Sequence, residues 1–281
     1  MDQTSSTVAI QGVAGSFHDE AAARHFGAGY LPVPCETFRD MFVALKRNKA
    51  RYAVMAIENT VAGTILPNYA LLRTSGMAVI GEVYLAIRQN LLALPGQKLE
   101  EIREVHSHPM AIQQCQVYFE KHPHIRLVET PDTAASAEWI ARHRKHGFGA
   151  IAAKRAATMY GLAVLAAGIE TDKRNFTRFL VLTHSGHVDG ETAEPDKASL
   201  AFHVPHARGS LARVLATLAD HGCNLTKIQS LPILGREWEY YMHVDLEFPA
   251  AAHFRDALAA MTPLVQELTV LGVYQRGSKD V

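Results

Sequence analysis

The chain has 281 residues, 48% of them apolar and 20% charged, and its 28 basic and 28 acidic side chains balance. A formal charge of zero excludes a global field that would recruit nucleic acid or an anionic membrane, so a small molecule is the favoured partner. The N-terminus has no basic segment followed by a long apolar core, and no apolar run is long enough to span a membrane. We therefore expect a cytoplasmic globular protein with room for two domains.

Short apolar strands alternate with helices from residue 7 to residue 161. An apolar strand at 7–11 leads through the glycine turn at 12–17 into an alanine-rich helix. The same order of strand, polar turn and helix recurs at 52–72, 101–122, 125–143 and 148–161. Such alternation predicts an α/β architecture with largely parallel sheets.

Small polar residues collect where these strands give way to helices. Ser107 is the predicted N-cap of a helix with Pro109 in its first turn. Helix N-termini at the carboxyl ends of parallel strands attract anions, so the recurrence of such joints favours a shared anion site over isolated caps. The joints are Gly15-Ser16, Glu58-Asn59-Thr60, Ser107-His108, Asp132-Thr133 and the segment from Asn175 to Arg178.

The last of these joints allows two interpretations. Asn175, Thr177 and Arg178 stand directly before the apolar run 179–182. A simple turn with Arg178 in solvent is one interpretation. The other is a buried strand that carries a hydroxyl and a guanidinium into a cleft.

Cysteine and histidine indicate neither a disulfide framework nor a metal site. Cys35, Cys115 and Cys223 are far apart and form no CxxC spacing, so we interpret them as reduced thiols. The 15 histidines include close pairs but no cysteine partners and no H-E-x-x-H frame.

A second pattern follows the polar segment 184–197, which is typical of a linker. Strands at 199–204, 225–233, 239–248 and 268–274 and helices at 209–222 and 250–261 give the order βαββαβ. This order predicts a ferredoxin-like sandwich of roughly eighty residues. In its third strand, alternation predicts Tyr240, Met242, Val244, Leu246 and Phe248 on the buried face.

Six segments together resemble the prephenate dehydratases that carry a C-terminal ACT regulatory domain. They are 12-GVAGSFHDEAA-22, 57-IENTVAGTILPNYALL-72, 105-VHSHPMAIQQC-115, 132-DTAASA-137, 169-IETDKRNFTRF-179 and 209-GSLARVL-215. Several motifs in the right order, over nearly the whole length, are far more specific than any one. The resemblance implies a catalytic domain at 1–186 with two α/β lobes, similar to a type II periplasmic binding protein, with the active site in the cleft between them. A linker at 187–197 and an ACT domain at 198–281 would follow.

The reaction implied by this resemblance converts prephenate into phenylpyruvate, carbon dioxide and water in L-phenylalanine biosynthesis, with no cofactor. Thr177 would assist the leaving hydroxyl through a hydrogen bond or relay, and Glu58 would supply a proton or orient its neighbours. Ser107 and Gln114 are seven residues apart, which on a helix places them on one face. The implied catalytic residues are Thr177, Glu58, Asn59, Ser107 and Gln114. The implied substrate-binding residues are Arg178, Ser16, Thr60, Thr133, Asn175 and Phe179.

The resemblance also implies a phenylalanine pocket in the ACT domain, at a subunit interface of a homodimer or homotetramer. The expected effector-binding residues are Gly209, Ser210, Leu211, Asn224, Leu225, Gln229, Ser230, Leu231 and Pro232. The chain departs from the family here, because 229-QSLP-232 occupies the place of an E-S-R-P motif. A milder departure is Thr60 in place of the serine of an E-N-S motif. We thus expect L-phenylalanine as an effector. The loss of the Glu and Arg charges of the E-S-R-P motif could alter its binding.

Three alternatives stay open from the sequence. Arogenate, which has an amine where prephenate has a keto group, could be the substrate. The chain could be a binding protein without catalysis, or its C-terminal domain could be purely structural. Since the first strand begins near Thr7, we expect no N-terminal helical mutase domain of the kind found in bifunctional relatives.

Overall fold

The computed structural model describes residues 6–185 and 194–279, which form two compact units. The first unit comprises residues 6–64 and 83–179, and the second comprises residues 65–82 and 180–279. Residues 187–193 of the predicted linker lie outside the described residues, so the domain boundaries stay a prediction. None of the helices in the described part of the chain combines the length and apolarity that crossing a membrane requires.

Strands and helices alternate over most of residues 7–166. The strands are β1 Thr7–Gln11, β2 Leu31–Cys35, β3 Tyr52–Asn59, β4 Gly63–Thr64, β5 Met77–Ala86, β6 Asn90–Ala93, β7 Glu104–Ser107, β8 Arg126–Glu129, β9 Phe148–Ala152, β10 Ala163–Ala166, β11 Phe176–His184, β12 Lys197–His203, β13 Asn224–Pro232, β14 Tyr240–Glu247 and β15 Gln266–Tyr274. The helices are α1 Phe17–Phe26, α2 Phe38–Lys46, α3 Leu66–Ser75, α4 Pro109–Gln114, α5 Gln116–Glu120, α6 Thr133–Arg142, α7 Lys154–Tyr160, α8 Ser210–Asp220 and α9 Ala251–Met261.

The first unit contains two lobes, each built on one sheet. The first lobe has the strand order β2-β1-β3-β11-β5 with β4 paired to β3, and β5 and β11 continue into the second unit. The second lobe has the order β10-β6-β9-β7-β8. β1 pairs parallel with β2 and β3, and β7 pairs parallel with β8 and β9. Strands whose crossover connection is a helix run parallel, as the alternation predicted.

The expectation of largely parallel sheets is wrong for part of the second lobe. β6 pairs antiparallel with both β9 and β10. The reason is that the chain passes between the lobes twice, at 87–89 and again at 167–175, so the strands that adjoin these crossings oppose their neighbours. The crossings are bonded to each other, because the Ile87 N–H donates to the Asn175 carbonyl over 2.8 Å and the Ile169 N–H to the Gln89 carbonyl over 2.8 Å.

The second unit contains the predicted βαββαβ sandwich. Its sheet has the order β13-β14-β12-β15 with antiparallel pairing, and α8 and α9 cover one face. Val244 and Leu246 lie in this core, as the alternation predicted. The residues that alternate with them along the strand point to the other face of β14, where Tyr241 and His243 are also buried. The cause is α3, in the same unit, whose Tyr69 ring lies 5.1 Å from the His243 ring.

Candidate active site and effector cavity

Asn59 and Thr177 meet where two neighbouring strands, β3 and β11, lie side by side. Asn59 Nδ2 donates to Thr177 Oγ1 over 2.9 Å and to Asn175 Oδ1 over 2.7 Å. Asn59 Oδ1 accepts from the backbone N–H groups of Val61 and Ala62, at 2.9 and 2.7 Å. The turn after β3 therefore fixes which end of the amide faces Thr177. Because Thr177 Oγ1 accepts this bond, its own hydrogen is available for another partner.

Thr60 ties the same strand end to the segment before β11. Its Oγ1 donates to the Arg174 carbonyl over 2.8 Å and accepts from the Phe176 N–H over 2.9 Å, while its N–H donates to the Phe176 carbonyl over 2.9 Å. Both predicted contributors, the E-N-T turn and the N-F-T-R segment, are thus held together through backbone and side chain.

Glu58 and Arg178 form a second pair next to the first. Arg178 Nη1 lies 3.6 Å from Glu58 Oε1, and the Arg178 side chain is only 3% exposed. Successive side chains of a strand point to opposite faces, so this ion pair and the Asn59–Thr177 pair lie on opposite faces of the sheet. The arrangement gives Arg178 a protein carboxylate as partner.

Phe179 shares the Thr177 face and lies in the core below it. It is 1% exposed, and its ring makes an edge contact with His18 at 5.0 Å. Burial lowers the pKa of His18 to about 3. The imidazole is therefore neutral, and its Nε2 accepts from the Ala56 N–H over 3.4 Å.

Ser107 is not the helix cap that the sequence predicted. It is the last residue of β7, fully buried, and its Oγ donates to the Ile151 carbonyl over 2.7 Å. His108 is the N-cap of α4, because Pro109 at the first helical position forces the residue before it to be extended. Because Ser107 belongs to β7 and α4 begins only at Pro109, Ser107 and Gln114 do not share a helical face. The predicted long helix also breaks at Cys115.

Gln114 is instead held by the two crossing segments. Its Oε1 accepts from Gln89 Nε2 over 3.1 Å, and its carbonyl accepts from the Thr171 N–H over 2.8 Å. The Gln89 N–H donates to Glu170 Oε2 over 2.8 Å, and both residues are buried. Sequence reasoning missed Gln89 and Glu170. The polar pair at 89–90 inside an apolar stretch was the signal that could have found Gln89.

Ser16 and Thr133 stand at two helix starts that the fold brings close together. Ser16 caps α1 and accepts from the Asp19 N–H over 3.3 Å. Thr133 opens α6, whose cap is Asp132, and burial raises the pKa of that carboxyl. A Cβ built on Gly12, just before the Ser16 turn, would clash with Asp132 Oδ2. The cap of α6 therefore lies against the backbone of the loop that leads to α1, in the other lobe.

A cavity of about 190 Å³ lies in the βαββαβ domain, at the N-terminus of α8. Ser210 and Leu211 line it, as do Trp238, Glu239 and Met242 of the opposing hairpin. Gly209 caps α8 in a left-handed conformation and offers no side-chain hydrogen bond to the first turn. The predicted residues from Gln229 to Pro232 lie on the edge strand β13 and do not line this cavity.

Within residues 6–185 and 194–279, no three or more His, Cys, Asp or Glu side chains cluster in a way that could hold a metal ion.

Comparison with known proteins gives one consistent family. The family model for prephenate dehydratase matches residues 8–187. Arogenate dehydratase 2 of Petunia hybrida is 37% identical over 96% of this chain and 72% of its own length. The bifunctional chorismate mutase/prephenate dehydratase of Aquifex aeolicus is 34% identical over 96% of this chain and 73% of its own length.

Solved structures agree along nearly the whole chain. Prephenate dehydratase from Arthrobacter aurescens, in complex with L-Phe, has a TM-score of 0.84 and 28% identity, covering 96% of this chain and 90% of that one. A protein described as GqqA, a novel type of quorum quenching acylase, has a TM-score of 0.85 and 29% identity, covering 97% and 98%.

Proposed function

The chain belongs to the prephenate dehydratase family, and we propose that it converts prephenate into phenylpyruvate, carbon dioxide and water. It is a hydro-lyase of this type. The observation that carries the proposal is the hydroxyl of Thr177, 7% exposed and oriented by the Asn59 amide. A hydroxyl with a free hydrogen suits a reaction that must help a hydroxyl group leave.

The substrate itself supplies the driving force, because loss of water and carbon dioxide makes an aromatic ring. The protein needs to hold the dianion, hydrogen-bond the leaving oxygen and keep water from the departing carboxylate. Since Asn59 donates to Thr177, the Thr177 hydrogen is directed to the leaving oxygen. An alkoxide is too unfavourable for Thr177 to be the ultimate acid, so it acts as a hydrogen-bond donor or relay.

Asn175 supplies a second donor. It is 1% exposed, its Oδ1 is taken by Asn59, and its Nδ2 has no hydrogen-bond partner among the described residues. A buried donor without a partner is costly, and an oxygen of the substrate would satisfy it. Glu58 is assigned to holding Arg178, because its carboxylate faces that guanidinium.

The remaining predicted residues have supporting roles in this proposal. Thr60 holds the β3 end, Phe179 forms the apolar floor, and Ser107 fixes the end of β7. Gln114, held by Gln89, lines the second lobe. Ser16 and Thr133 present helix N-termini to the substrate carboxylates. Arg178, paired with Glu58 on the opposite face of the sheet, ties β11 to β3 beside the Asn59–Thr177 pair.

The βαββαβ domain is, in this proposal, an ACT domain that binds L-phenylalanine as feedback inhibitor. The cavity offers the N-terminus of α8 for a carboxylate, Glu239 for an ammonium group, and Trp238 with Met242 for an aromatic side chain. The Arthrobacter aurescens relative was solved with L-Phe. We place the enzyme in the cytoplasm as a homodimer or homotetramer, with the edge strand β13 and its Gln229 to Pro232 segment towards the partner subunit.

The test is incubation of the purified protein with prephenate and, separately, with arogenate, with and without phenylalanine. Phenylpyruvate from prephenate is the expected product. Phenylalanine formed from arogenate at a higher kcat/KM would reassign the substrate, and no turnover of either would support a binding protein.

The acylase activity named in the description of GqqA gains no support from Ser107 or Thr177. Acyl transfer needs a nucleophile hydrogen-bonded to a general base. The Ser107 hydroxyl donates to the Ile151 carbonyl and the Thr177 hydroxyl accepts from the Asn59 amide, and neither of these partners is a base.

A further inference from the structure

We propose that Asp19 and Arg155, an ion pair between the two lobes, are positioning residues for the substrate-binding loop at 12–16. The inference rests on the function proposed above, since it concerns how the same cleft holds its substrate. Asp19 lies on α1 of the first lobe and Arg155 on α7 of the second, 136 residues apart in the chain.

The Asp19 carboxylate is saturated with donors from three directions. Its Oδ2 accepts from Arg155 Nε over 2.5 Å and from the Gly15 N–H over 2.9 Å, and its Oδ1 accepts from the Tyr30 hydroxyl. Arg155 Nη2 also donates to the Tyr30 hydroxyl over 3.3 Å. The Asp19 side chain is 1% exposed and that of Arg155 is 34% exposed. One carboxylate oxygen therefore joins the loop of one lobe to a cation of the other.

The loop has little freedom beyond this bond. Val13 packs against the apolar cluster of the second lobe, and the Ala14 carbonyl accepts from the Tyr160 hydroxyl over 2.6 Å. A Cβ on Gly15 would lie 3.0 Å from Ala156 Cα, and Gly15 has φ +87°. Only glycine fits such a backbone against such a neighbour. The loop that carries Ser16 is thus shaped by the second lobe.

The positive charge of Arg155 balances the negative charge of the buried Asp19 carboxylate. Without it, Asp19 would be a buried carboxylate with no ion-pair partner among the residues that the structure describes, next to the loop that receives a dianionic substrate. The lone charge would disturb the loop through the Gly15 bond and would repel the substrate carboxylates. Both effects act on substrate binding, whereas Thr177 acts on bond breaking. KM should therefore respond more than kcat.

The test compares three variants of the full chain. Arg155→Met should raise KM for prephenate about ten-fold with kcat within about two-fold of wild type. The double variant Asp19→Asn/Arg155→Met should recover most of that KM, because the substituted amide is neutral and its oxygen still accepts from the Gly15 N–H. Arg126→Met is the matched control: it removes a 70% exposed arginine of the second lobe that pairs with Glu104, and KM should not change.

A second readout separates this inference from the proposed function. Amide hydrogen exchange in the peptide 12–19 should be faster in Arg155→Met than in Arg126→Met, whether or not the protein turns over prephenate. Wild-type turnover alone tests the proposed function. Three outcomes would each overturn the positioning role. They are equal exchange rates in the two single variants, an unchanged KM in Arg155→Met, and a KM in the double variant as high as that in Arg155→Met.

Discussion

Asn59 and Thr177, 118 residues apart in the chain, are joined by a hydrogen bond of 2.9 Å from the Asn59 amide to the Thr177 hydroxyl. Because the turn at Val61 and Ala62 fixes the amide, the direction of this bond is set by local backbone. The hydroxyl is thereby polarised towards donation. This pair is the chemical centre of the proposed reaction.

The first prediction concerns that hydroxyl. Thr177→Val keeps the shape of the side chain and removes the donor, so kcat should fall about 10²- to 10⁴-fold. Thr177→Ser should retain most activity. Steady-state kinetics on prephenate measure both, with melting temperature as the check on folding. A valine variant with wild-type kcat would remove Thr177 from the reaction.

The second prediction concerns Gln89, whose amide holds Gln114. Gln89→Leu leaves the Gln114 oxygen without this donor, so kcat/KM should fall about ten-fold. Gln97→Leu is the control, because Gln97 is also in the second-lobe part of the chain and accepts one bond, from the Gly147 N–H. It should lose stability without losing kcat/KM. Equal kinetics in both variants would exclude Gln89 from the site.

The third prediction concerns the cavity at the N-terminus of α8, the proposed effector site. Trp238→Ala removes an apolar wall, so the phenylalanine concentration for half-inhibition should rise about ten-fold. Leu234→Ala, in the same hairpin but 97% exposed and outside the cavity lining, should leave it unchanged. Inhibition curves on the two variants measure the difference. A normal response in Trp238→Ala would place the effector elsewhere.

The fourth prediction is a pH dependence of stability. Burial, with a smaller effect of Arg73, lowers the pKa of His243 to about 4 from an ordinary value of 6.5, against an opposing effect of Asp245. Between pH 6.5 and about 4, His243 therefore binds a proton in the unfolded chain but not in the folded chain. The free energy of unfolding falls as the pH falls through that window.

His243→Phe should remove this contribution while keeping the ring contact with Tyr69. Urea unfolding should show the variant gaining roughly 1 to 3 kcal/mol over wild type at about pH 4, relative to their difference at about pH 7.5. His253→Phe, at an exposed position, should show no such gain. Parallel pH profiles for wild type and His243→Phe would contradict the assignment.

The fifth prediction concerns a buried ion pair of the second unit. Lys197 Nζ lies 2.9 Å from Glu82 Oε1, with side chains 1% and 0% exposed. Lys197→Met removes the buried ammonium group from this ion pair and should cost about 3 to 5 kcal/mol of unfolding free energy. Glu82→Gln/Lys197→Met should recover much of that loss. Denaturant unfolding measures the free energy of unfolding of both variants. Equal losses of that free energy in the single and the double variant would contradict an energetic coupling between Lys197 and Glu82.

Local signals in the sequence were enough for most elements and for several site residues. Ser16 and Asp132 cap helices as their residue types predict, and the alternation through Val244 and Leu246 marks a core strand. These features depend on only a few residues that are neighbours in the chain, so the sequence by itself predicts them. The motif resemblance also indicated that Asn59 and Thr177 belong to one site.

Tertiary structure alone decided the contacts between distant segments. The Ser107 hydroxyl donates to the Ile151 carbonyl, and the Gln89 amide of one crossing segment donates to Gln114. Arg155 binds Asp19, which is 136 residues away in the chain. Helix α3 likewise covers the face of β14 that carries His243, opposite the face that the alternation predicted to be buried. No periodicity or spacing encodes such pairs, because they depend on how complete sheets are placed, and that placement is set by the sum of many weak apolar contacts.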